Sequence, residues 1–347
     1  MTLRKSLWIA AAVGAAVVWS GVSASAQETV TFSSWGGAYQ DAETKAFIEP
    51  AEKKLGIKVK QDNLTGLAPV KSQVLSGKTF WDVVDLGVTD CQRGANDGIF
   101  MELDYKLIPA AKDLPKAAVN KHWVGLLSFS TVIAWNADVV KGEGPKNWAE
   151  FWDVKKFPGK RAIRNLARES LEQALMADGV PPDKLYPLDV DRAYKKLEEL
   201  KPHLVFWTSG GQSAQMLKDG EAEYVAIWNG RAAALIKEKV KVKMHFNQAL
   251  FLTECLAVPK GAPNPQGAMK LINEMLLPEP QANLTKYIDY GPINPKAYQT
   301  GIITPEIAKT LNSYPDNMKT QATIDPDWWS TPAGEAALAR WASFVQK

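Results

Sequence analysis

The sequence predicts an α/β protein in which parallel strands alternate with helices. Two observations come from the stretch between Leu204 and Leu235. The short apolar runs LVFW and YVAIW each end in a turn of small or polar residues, and a helix-like segment follows each turn. A third observation is the run WDVVDLG at residues 81–87, which is typical of a strand buried on both faces of a parallel sheet.

The first predicted domain begins at residue 27 and extends to about residue 130. Strands are predicted over ETVTFSS (28–34), GIKVKQ (56–61) and WDVVDLG. Helices are predicted over residues 40–55 and 67–77, because apolar residues recur there at the spacing of one helix face. Helices that alternate with strands in this way cover both faces of a parallel sheet.

A second α/β series follows in the middle of the chain. It starts with a strand over RAIRN (161–165), continues through two helices and ends with the repeated unit described above. Two further helices are predicted near the C-terminal end, before the turn-rich segment YGPINP. The four helices span residues 168–177, 191–200, 265–276 and 280–288.

Two isolated apolar runs, TVIAWN at 131–136 and CLAVP at 255–259, flank the second series. This order predicts that the chain enters a first domain, leaves it and returns, with these runs as two crossing strands. We therefore expect two lobes separated by a cleft that closes about the crossings. The predicted boundaries are 27–133 plus 258–315 for lobe 1, and 134–257 plus 316–347 for lobe 2.

Residues 1–26 have the features of a cleaved secretory signal peptide. Arg4 and Lys5 precede an apolar run over residues 7–22, and the small residues ASA follow before Gln27. We expect cleavage near Gln27. A retained membrane anchor is the alternative, although the run is short and interrupted by glycine and serine.

The charge balance gives no reason to expect binding to nucleic acid or to an anionic membrane. Removing Arg4 and Lys5 from the 41 basic residues leaves 39, against 38 acidic residues, and so a net charge of +1. Nucleic acids and anionic membranes bind to strongly basic protein surfaces, and this charge balance does not predict such a surface.

Sequence signatures of enzymes are mostly absent. His122, His203 and His245 are far apart and form none of the known metal-ligand spacings. The chain also lacks a nucleophile elbow, a phosphate-binding glycine loop and a dinucleotide fingerprint. We expect no catalytic residues, no metal and no cofactor, while paired carboxylates leave an unfamiliar lyase or hydrolase open as an alternative.

Cys91 and Cys255 are the two cysteines of the chain. In an oxidising compartment such a pair can form a structural disulfide. Two buried free thiols are the alternative.

The candidate ligand site lies beyond the carboxyl ends of the predicted strands, where open parallel sheets bind their ligands. Thirteen tryptophans are more than a core of this size requires, and an aromatic face binds a cation or stacks on a sugar. A buried ammonium group also needs a carboxylate partner, and carboxylates occur at equivalent places, so an amine is favoured over a sugar. The candidates are Trp35, Tyr39, Asp85, Glu169, Ser213, Trp228, Glu254 and Tyr290.

Several of these residues also have purely structural interpretations. Trp228 can close a core, Glu169 can interact with a helix N-terminus, and Asp85 can pair with Arg93. Glu254 can be solvated. The hypothesis that these residues line one shared cleft can be tested in the structure.

Seven features together resemble the spermidine/putrescine-binding proteins of bacterial ABC importers. These are the signal peptide, the strand with Trp35 and Tyr39, and the segments WDVVDLG, ARESLEQAL, GEAEYVAIWNG, ECLAVPKGA and YGPINP. The resemblance implies a monomeric, periplasmic protein with the two-lobed periplasmic binding protein fold of type II, which delivers a small amine to a membrane permease. By position it implies ligand contacts for Trp35, Tyr39, Glu169, Trp228, Glu254 and Tyr290.

Departures from this family leave the ligand open. Leu166 stands where an aspartate is expected, Leu252 where a second cleft tryptophan is expected, and the turn at 87–89 lacks the usual serine and tyrosine. Arg168 has a counterpart in the family, whereas Arg164 could present a cation to the ligand. A ligand with one amine and one carboxylate would be favoured by an arginine. A polyamine such as putrescine or spermidine is the leading expectation, and a zwitterion such as 4-aminobutyrate, or a sugar, is the alternative.

Overall fold

Strands and helices alternate along residues 27–346, which are the residues that this computed structural model describes. The predicted signal peptide lies outside the described residues. The predicted α/β class is confirmed. The strands are β1 (Thr29–Ser34), β2 (Lys58–Asn63), β3 (Val83–Gly87), β4 (Trp123–Asn136), β5 (Arg161–Arg164), β6 (Leu204–Trp207), β7 (Tyr224–Trp228), β8 (Val242–Ala257), β9 (Gly291–Pro292) and β10 (Ala322–Thr323).

Fifteen α-helices occur within the described residues, together with shorter 3-10 turns and one π-helical turn. The six helices predicted with bounds each begin within three residues of the start of an observed helix, but the first of them is divided by the π-helical turn at Thr44–Ile48. The helices are α1 (Gly37–Glu43), α2 (Glu49–Leu55), α3 (Leu67–Leu75), α4 (Val88–Asn96), α5 (Trp148–Trp152), α6 (Ala167–Ala177), α7 (Val190–Leu200), α8 (Gly210–Asp219), α9 (Asn229–Lys237), α10 (Pro265–Met275), α11 (Pro278–Leu284), α12 (Pro305–Thr310), α13 (Pro315–Met318), α14 (Pro326–Trp329) and α15 (Pro332–Gln346). The helices α4, α5 and α12 to α15 were not predicted.

Two groups of three parallel strands lie on either side of a central antiparallel pair. The strand order is β2-β1-β3-β8-β4-β7-β5-β6. Strand β1 pairs in parallel with β2 and β3, and β5 pairs in parallel with β6 and β7. We call the part built on β1–β3 the first lobe and the part built on β5–β7 the second lobe.

The long strands β4 and β8 belong to both lobes. They pair with each other in antiparallel fashion, while Gly87 of β3 pairs with Glu254 of β8 and Thr131 of β4 pairs with Trp228 of β7. Both strands begin earlier than the runs TVIAWN and CLAVP suggested. The first part of β8 contains polar residues such as Lys243, His245 and Asn247. In β4 the serines Ser128 and Ser130 separate the earlier apolar residues from TVIAWN.

The C-terminal helix α15 packs on the second lobe. Tyr194 on α7 donates a hydrogen bond from its hydroxyl to the carbonyl oxygen of Ala337 over 2.8 Å. The indole Nε1 of Trp341 donates to Asn165 Oδ1, just after β5, over 2.8 Å. These contacts fix the end of the chain against the helices that follow β5.

A disulfide joins Cys91 on α4 to Cys255 on β8, with the two Cα atoms 6.6 Å apart. Both cysteines are fully buried. The bond ties the helix after β3 to the strand position next to Glu254. Within residues 27–346, no helix has the length and apolar character required to cross a membrane.

Candidate functional site

A narrow cavity of about 30 Å³ lies between the two lobes, where the residues that follow β1, β3, β5 and β7 meet. One water molecule requires roughly 10–15 Å³ measured in this way, so the cavity is closed around little free space. Loops after parallel strands converge here because parallel strands end at the same edge of a sheet.

Aromatic rings form one continuous wall of this cavity. Tyr39 contacts Tyr290 with 5.7 Å between ring centroids, Tyr290 contacts Phe129 at 5.6 Å, and Phe129 contacts Trp228 edge-on at 5.7 Å. Trp35, just after β1, also lines the cavity. Tilted and edge-on pairs of this kind are favourable arrangements of aromatic rings.

Glu254 supplies the carboxylate that lines the cavity and is only 7% exposed. The indole Nε1 of Trp35 donates to Glu254 Oε2 over 3.3 Å. Burial, together with nearby Asp85, raises the pKa of Glu254 well above its usual value, whereas the positive charges of Arg164 and Arg168 oppose this shift. An ammonium group beside Glu254 would favour its ionised form.

Asp85 lies behind the aromatic wall and does not line the cavity. The hydroxyl of Tyr39 donates to Asp85 Oδ2 over 2.8 Å, so Tyr39 separates this carboxyl from the cavity. Burial raises the pKa of Asp85 to about 7, although its hydrogen bonds from Tyr39 and Ser34 act in the opposite direction.

Glu169 also lies behind the lining, because both of its carboxylate oxygens are occupied. Arg164 Nη1 donates to Glu169 Oε1 over 2.6 Å, and Thr131 Oγ1 donates to Oε2 over 2.5 Å. Glu169 has a φ of 77°, and its backbone N–H donates to Glu172 Oε2 over 2.9 Å. This left-handed backbone, which is unfavourable for a glutamate, turns the side chain toward Arg164.

Arg164 and Arg168 both line the cavity and both have carboxylate partners. Arg164 pairs with Glu169, and its guanidinium carbon lies 5.1 Å from the ring centroid of Trp228. Arg168 Nη1 contacts Thr89 Oγ1 and lies 3.4 Å from Asp90 Oδ1.

Arg231 is the lining residue that sequence reasoning missed. It forms no ion pair with another residue in the described part of the chain, and its Nε atom is buried without a hydrogen-bond partner there. It also lies near Tyr290, whose pKa burial raises to about 12 while the Arg231 charge opposes the rise. Its position in the first turn of the helix after β7, three residues beyond Trp228, was the signal available in the sequence.

Six of the nine predicted ligand-contact residues line the cavity, and three do not. Those that line it are Trp35, Tyr39, Arg164, Trp228, Glu254 and Tyr290. Asp85 and Glu169 do not line the cavity; they contact the lining residues Tyr39 and Arg164, respectively. Ser213 is buried within α8, where its hydroxyl donates to the carbonyl oxygen of Gly210 over 2.9 Å.

Further lining residues come from places that sequence patterns did not emphasise. Phe129 lies in the middle of β4, where nothing marks it as facing a cleft. Leu252 lines the cavity at the position where the resemblance led us to expect a tryptophan, and Thr89 lines it in the turn that lacks the usual serine and tyrosine.

A wider outer cleft of about 520 Å³ adjoins the cavity and shares Trp35, Arg164, Trp228 and Arg231 with it. It is lined by Gly36 and its neighbours in the first lobe, and by the turn Thr208–Gly211 together with α9 residues in the second. The cavity therefore lies at the inner end of the space between the lobes. A pocket enclosed between two lobes that share two strands is the arrangement of a binding protein.

Comparisons with known proteins agree with this class. A sequence profile described as bacterial extracellular solute-binding protein matches residues 46–320. A gamma-aminobutyric acid-binding protein of Pseudomonas aeruginosa is 33% identical over 308 residues, which cover 87% of each chain. Spermidine/putrescine-binding periplasmic protein 1 of Haemophilus influenzae is 29% identical over 302 residues, which cover 84% of this chain and 82% of the relative.

The structure is also similar to the crystal structure of an ABC transporter substrate-binding protein from Bradyrhizobium japonicum, with 50% identity and a TM-score of 0.88. The match covers 92% of this chain and 100% of that chain. The protein belongs to the bacterial extracellular solute-binding protein family, whose members bind small molecules and work with ABC transporter permeases. The predicted binding-protein fold and the resemblance to spermidine/putrescine-binding proteins are confirmed.

Proposed function

We propose that this protein is a periplasmic binding protein for a small molecule with one ammonium and one carboxylate group, of which 4-aminobutyrate is a simple example. In this proposal residues 1–26 direct export, and the captured solute passes to the permease of an ABC importer. The observation that carries the proposal is that Arg231 and Glu254 line the same cavity, while neither forms an ion pair with any other residue between 27 and 346.

The charges of the cavity suit a ligand that is neutral overall. Arg164 is offset by Glu169 and Arg168 by Asp90, which leaves the positive charge of Arg231 and the carboxyl group of Glu254, which an adjacent ammonium would hold in its ionised form. A zwitterion supplies a partner for each. A diamine would place a second ammonium near Arg231, and like charges in a buried site are unfavourable.

The aromatic wall suits the apolar part of such a ligand. A short methylene chain can pack against Tyr39, Tyr290 and Phe129, while an ammonium group gains from the face of Trp228 or Trp35. A cation over an aromatic face contributes about 0.5–2 kcal/mol. A neutral sugar would also pack on these rings, but it would leave Arg231 and Glu254 without charged partners.

Polyamine binding is the second candidate, and one observation favours it. Asp85 accepts a hydrogen bond from Tyr39, and Ser34 links Asp85 to Glu43. Burial raises the pKa of the Tyr39 hydroxyl and the buried Glu254 raises it further, so three carboxyl groups surround Tyr39. Such a cluster attracts a cation strongly. The same cluster also suits the single ammonium of a zwitterion, so it supports an amine-binding site in both candidates.

A thermal-shift experiment with matched ligands separates the candidates. The purified mature protein is heated with 4-aminobutyrate, putrescine, spermidine, butyrate, butylamine and glucose. A ligand at 100 times its Kd adds about 2.7 kcal/mol to the free energy of unfolding, which gives a clear rise in melting temperature. We expect the largest shift with 4-aminobutyrate. A larger shift with putrescine would support the second candidate, and a shift with glucose alone would contradict both.

A further inference from the structure

The buried carboxyl groups of Glu43 and Asp85 lie behind the cavity and share a hydrogen-bond donor. Ser34 Oγ lies 2.5 Å from Glu43 Oε2 and 3.0 Å from Asp85 Oδ2. Tyr39 donates its hydroxyl hydrogen to the same oxygen of Asp85 over 2.8 Å. Both carboxyl groups are fully buried.

The number of hydrogens does not match the number of contacts. A serine hydroxyl and a tyrosine hydroxyl each carry one hydrogen, whereas Ser34 and Tyr39 together make three contacts with the two carboxyl groups. The third contact requires a proton on Glu43 or Asp85. In addition, Glu43 Oε1 and Asp85 Oδ1 are buried and have no hydrogen-bond partner within the described residues.

The surroundings of the pair also favour one shared proton. The cavity arginines pair with other carboxylates, and no ion pair of the described residues includes Glu43 or Asp85. Two adjacent carboxylates without a cation are costly to bury. Burial and the neighbouring Asp85 raise the pKa of Glu43 well above its usual value, and burial raises the pKa of Asp85 to about 7.

The charged and titratable groups that face the pair are few. Tyr39 approaches from α1 and Glu254 from β8. The positive charges of Arg164 and Arg168 act on Glu254, whose pKa they lower. Glu254 adds negative charge and strengthens the tendency of the pair to hold a proton.

We propose that Glu43 and Asp85 share one proton in the ligand-free protein, and that binding of the ligand's ammonium group releases this proton to solvent. This inference rests on the proposed amine ligand. The ammonium enters with a positive charge, the shared proton leaves with one, and the carboxyl pair becomes doubly ionised, so charge and atoms balance. Glu43 is then a positioning residue, which acts on the ligand through Asp85 and Tyr39.

Proton release makes affinity depend on pH. Below the pKa of the pair, each ligand molecule that binds displaces one proton. Affinity for the ligand therefore increases by up to about tenfold for each unit by which the pH rises. Above that pKa the dependence disappears. Because burial raises the pKa of both members of the pair, this dependence extends above the pH range in which exposed carboxyl groups titrate.

Calorimetry of the full mature protein tests the release directly. Binding of 4-aminobutyrate is measured at about pH 6 in buffers with different ionisation enthalpies, and the slope of observed enthalpy against buffer enthalpy gives the number of protons released. We expect Glu43→Gln to release about one proton fewer than the wild type, because any proton that Glu254 loses beside the ammonium is lost in both proteins. Glu102→Gln, at an exposed residue that lines neither the cavity nor the outer cleft, serves as the matched control and should behave like the wild type.

A ligand-free measurement keeps this inference separate from the proposed function. Carboxyl carbons of Asp and Glu are followed by NMR through a pH titration, with the signals of Glu43 and Asp85 assigned from the Glu43→Gln and Asp85→Asn variants and kept apart from those of Glu172 and Glu254. A protonated carboxyl within this pair is expected in the wild type at about pH 6. A fully ionised pair at that pH overturns the inference whatever ligand binds. Amine binding without proton release also overturns it, but leaves the proposed function intact. If no amine binds, the proposed function fails, and the NMR titration alone decides whether the proton is shared.

Discussion

Arg231 and Glu254 line one cavity from opposite lobes, and each lacks an ion-pair partner among residues 27–346. Arg231 lies on α9, immediately after β7 of the second lobe, whereas Glu254 lies on β8 where that strand pairs with Gly87 of β3. A ligand that joins the two residues therefore also joins the two lobes. Closure is favoured only by contacts that are better in the closed state than in the open one, and we propose that these two residues supply such contacts to the ligand.

Replacing Glu254 with glutamine should weaken binding of 4-aminobutyrate by about 10- to 150-fold. The substitution keeps the size of the side chain but removes its charge, and hydrogen bonds to charged groups contribute about 1.5–3 kcal/mol. Affinity is measured by calorimetry. Butyrate, which lacks the ammonium group, should bind equally well to both proteins. Equal affinity of Glu254→Gln and wild type for 4-aminobutyrate would show that the ammonium lies elsewhere.

Replacing Trp228 with alanine should lower affinity about tenfold or more, because the ring supplies part of the cavity wall and a face for a cation. Trp228→Phe keeps an aromatic face and should lose less. Trp228 also packs edge-on against Trp207, with 5.2 Å between centroids, so circular dichroism must show that both variants are folded. A folded Trp228→Ala protein with unchanged affinity contradicts this placement of the ligand.

The ligand-free protein should be more stable at mildly acidic than at alkaline pH. Burial raises the pKa of Glu172 to about 7, although it accepts hydrogen bonds from Tyr186 and Trp329, and burial likewise raises the pKa of Asp85 to about 7. In the unfolded chain these groups titrate near 4.5 and 3.8. The folded state therefore holds more protons between the two sets of values, and the free energy of unfolding decreases as pH rises through this window.

Urea unfolding at about pH 5 and pH 8 measures this dependence. We expect a lower midpoint at the higher pH, and a smaller difference between the two in Glu172→Gln. The prediction is contradicted if the urea midpoint of the wild type rises with pH and the midpoints of Glu172→Gln show the same pH dependence.

Removing the disulfide should destabilise the protein. The bond joins residues 164 positions apart, for which the chain-entropy model gives an upper value of roughly 5 kcal/mol. The melting temperature of the wild type should fall in a reducing agent, while a Cys91→Ser, Cys255→Ser double variant should melt at a low temperature with or without reductant. A wild-type melting temperature that does not respond to reductant would indicate two free thiols.

Much of the fold follows from the sequence because hydrophobic burial leaves a direct pattern. The apolar run that becomes β3 and the unit around β7 were recognisable, since strands buried on both faces are continuously apolar. The first parts of β4 and β8 were not recognised. That of β8 contains polar residues such as Lys243, His245 and Asn247, and Ser128 and Ser130 interrupt the apolar pattern of β4 before TVIAWN.

The depth of the site residues was harder to predict than their location. Glu169 and Asp85 lie in the expected region, but each has a neighbour, Arg164 or Tyr39, between its carboxyl group and the cavity. The positive φ of Glu169 depends on tertiary contacts with Glu172, which no local pattern reveals. Arg231 was not predicted to line the cavity, because an arginine in the first turn of a helix is ordinarily exposed to solvent.

The most direct test of the account is the ratio of the Kd values for putrescine and 4-aminobutyrate, measured by calorimetry in the wild type and in Arg231→Glu. If Arg231 binds the carboxylate of the ligand, the wild type prefers 4-aminobutyrate. Reversing this charge should then invert the preference by about 100-fold or more, since a charged partner contributes about 1.5–3 kcal/mol. Arg231→Lys, which keeps the charge, should retain the wild-type preference. A folded Arg231→Glu protein with an unchanged ratio would contradict the central claim.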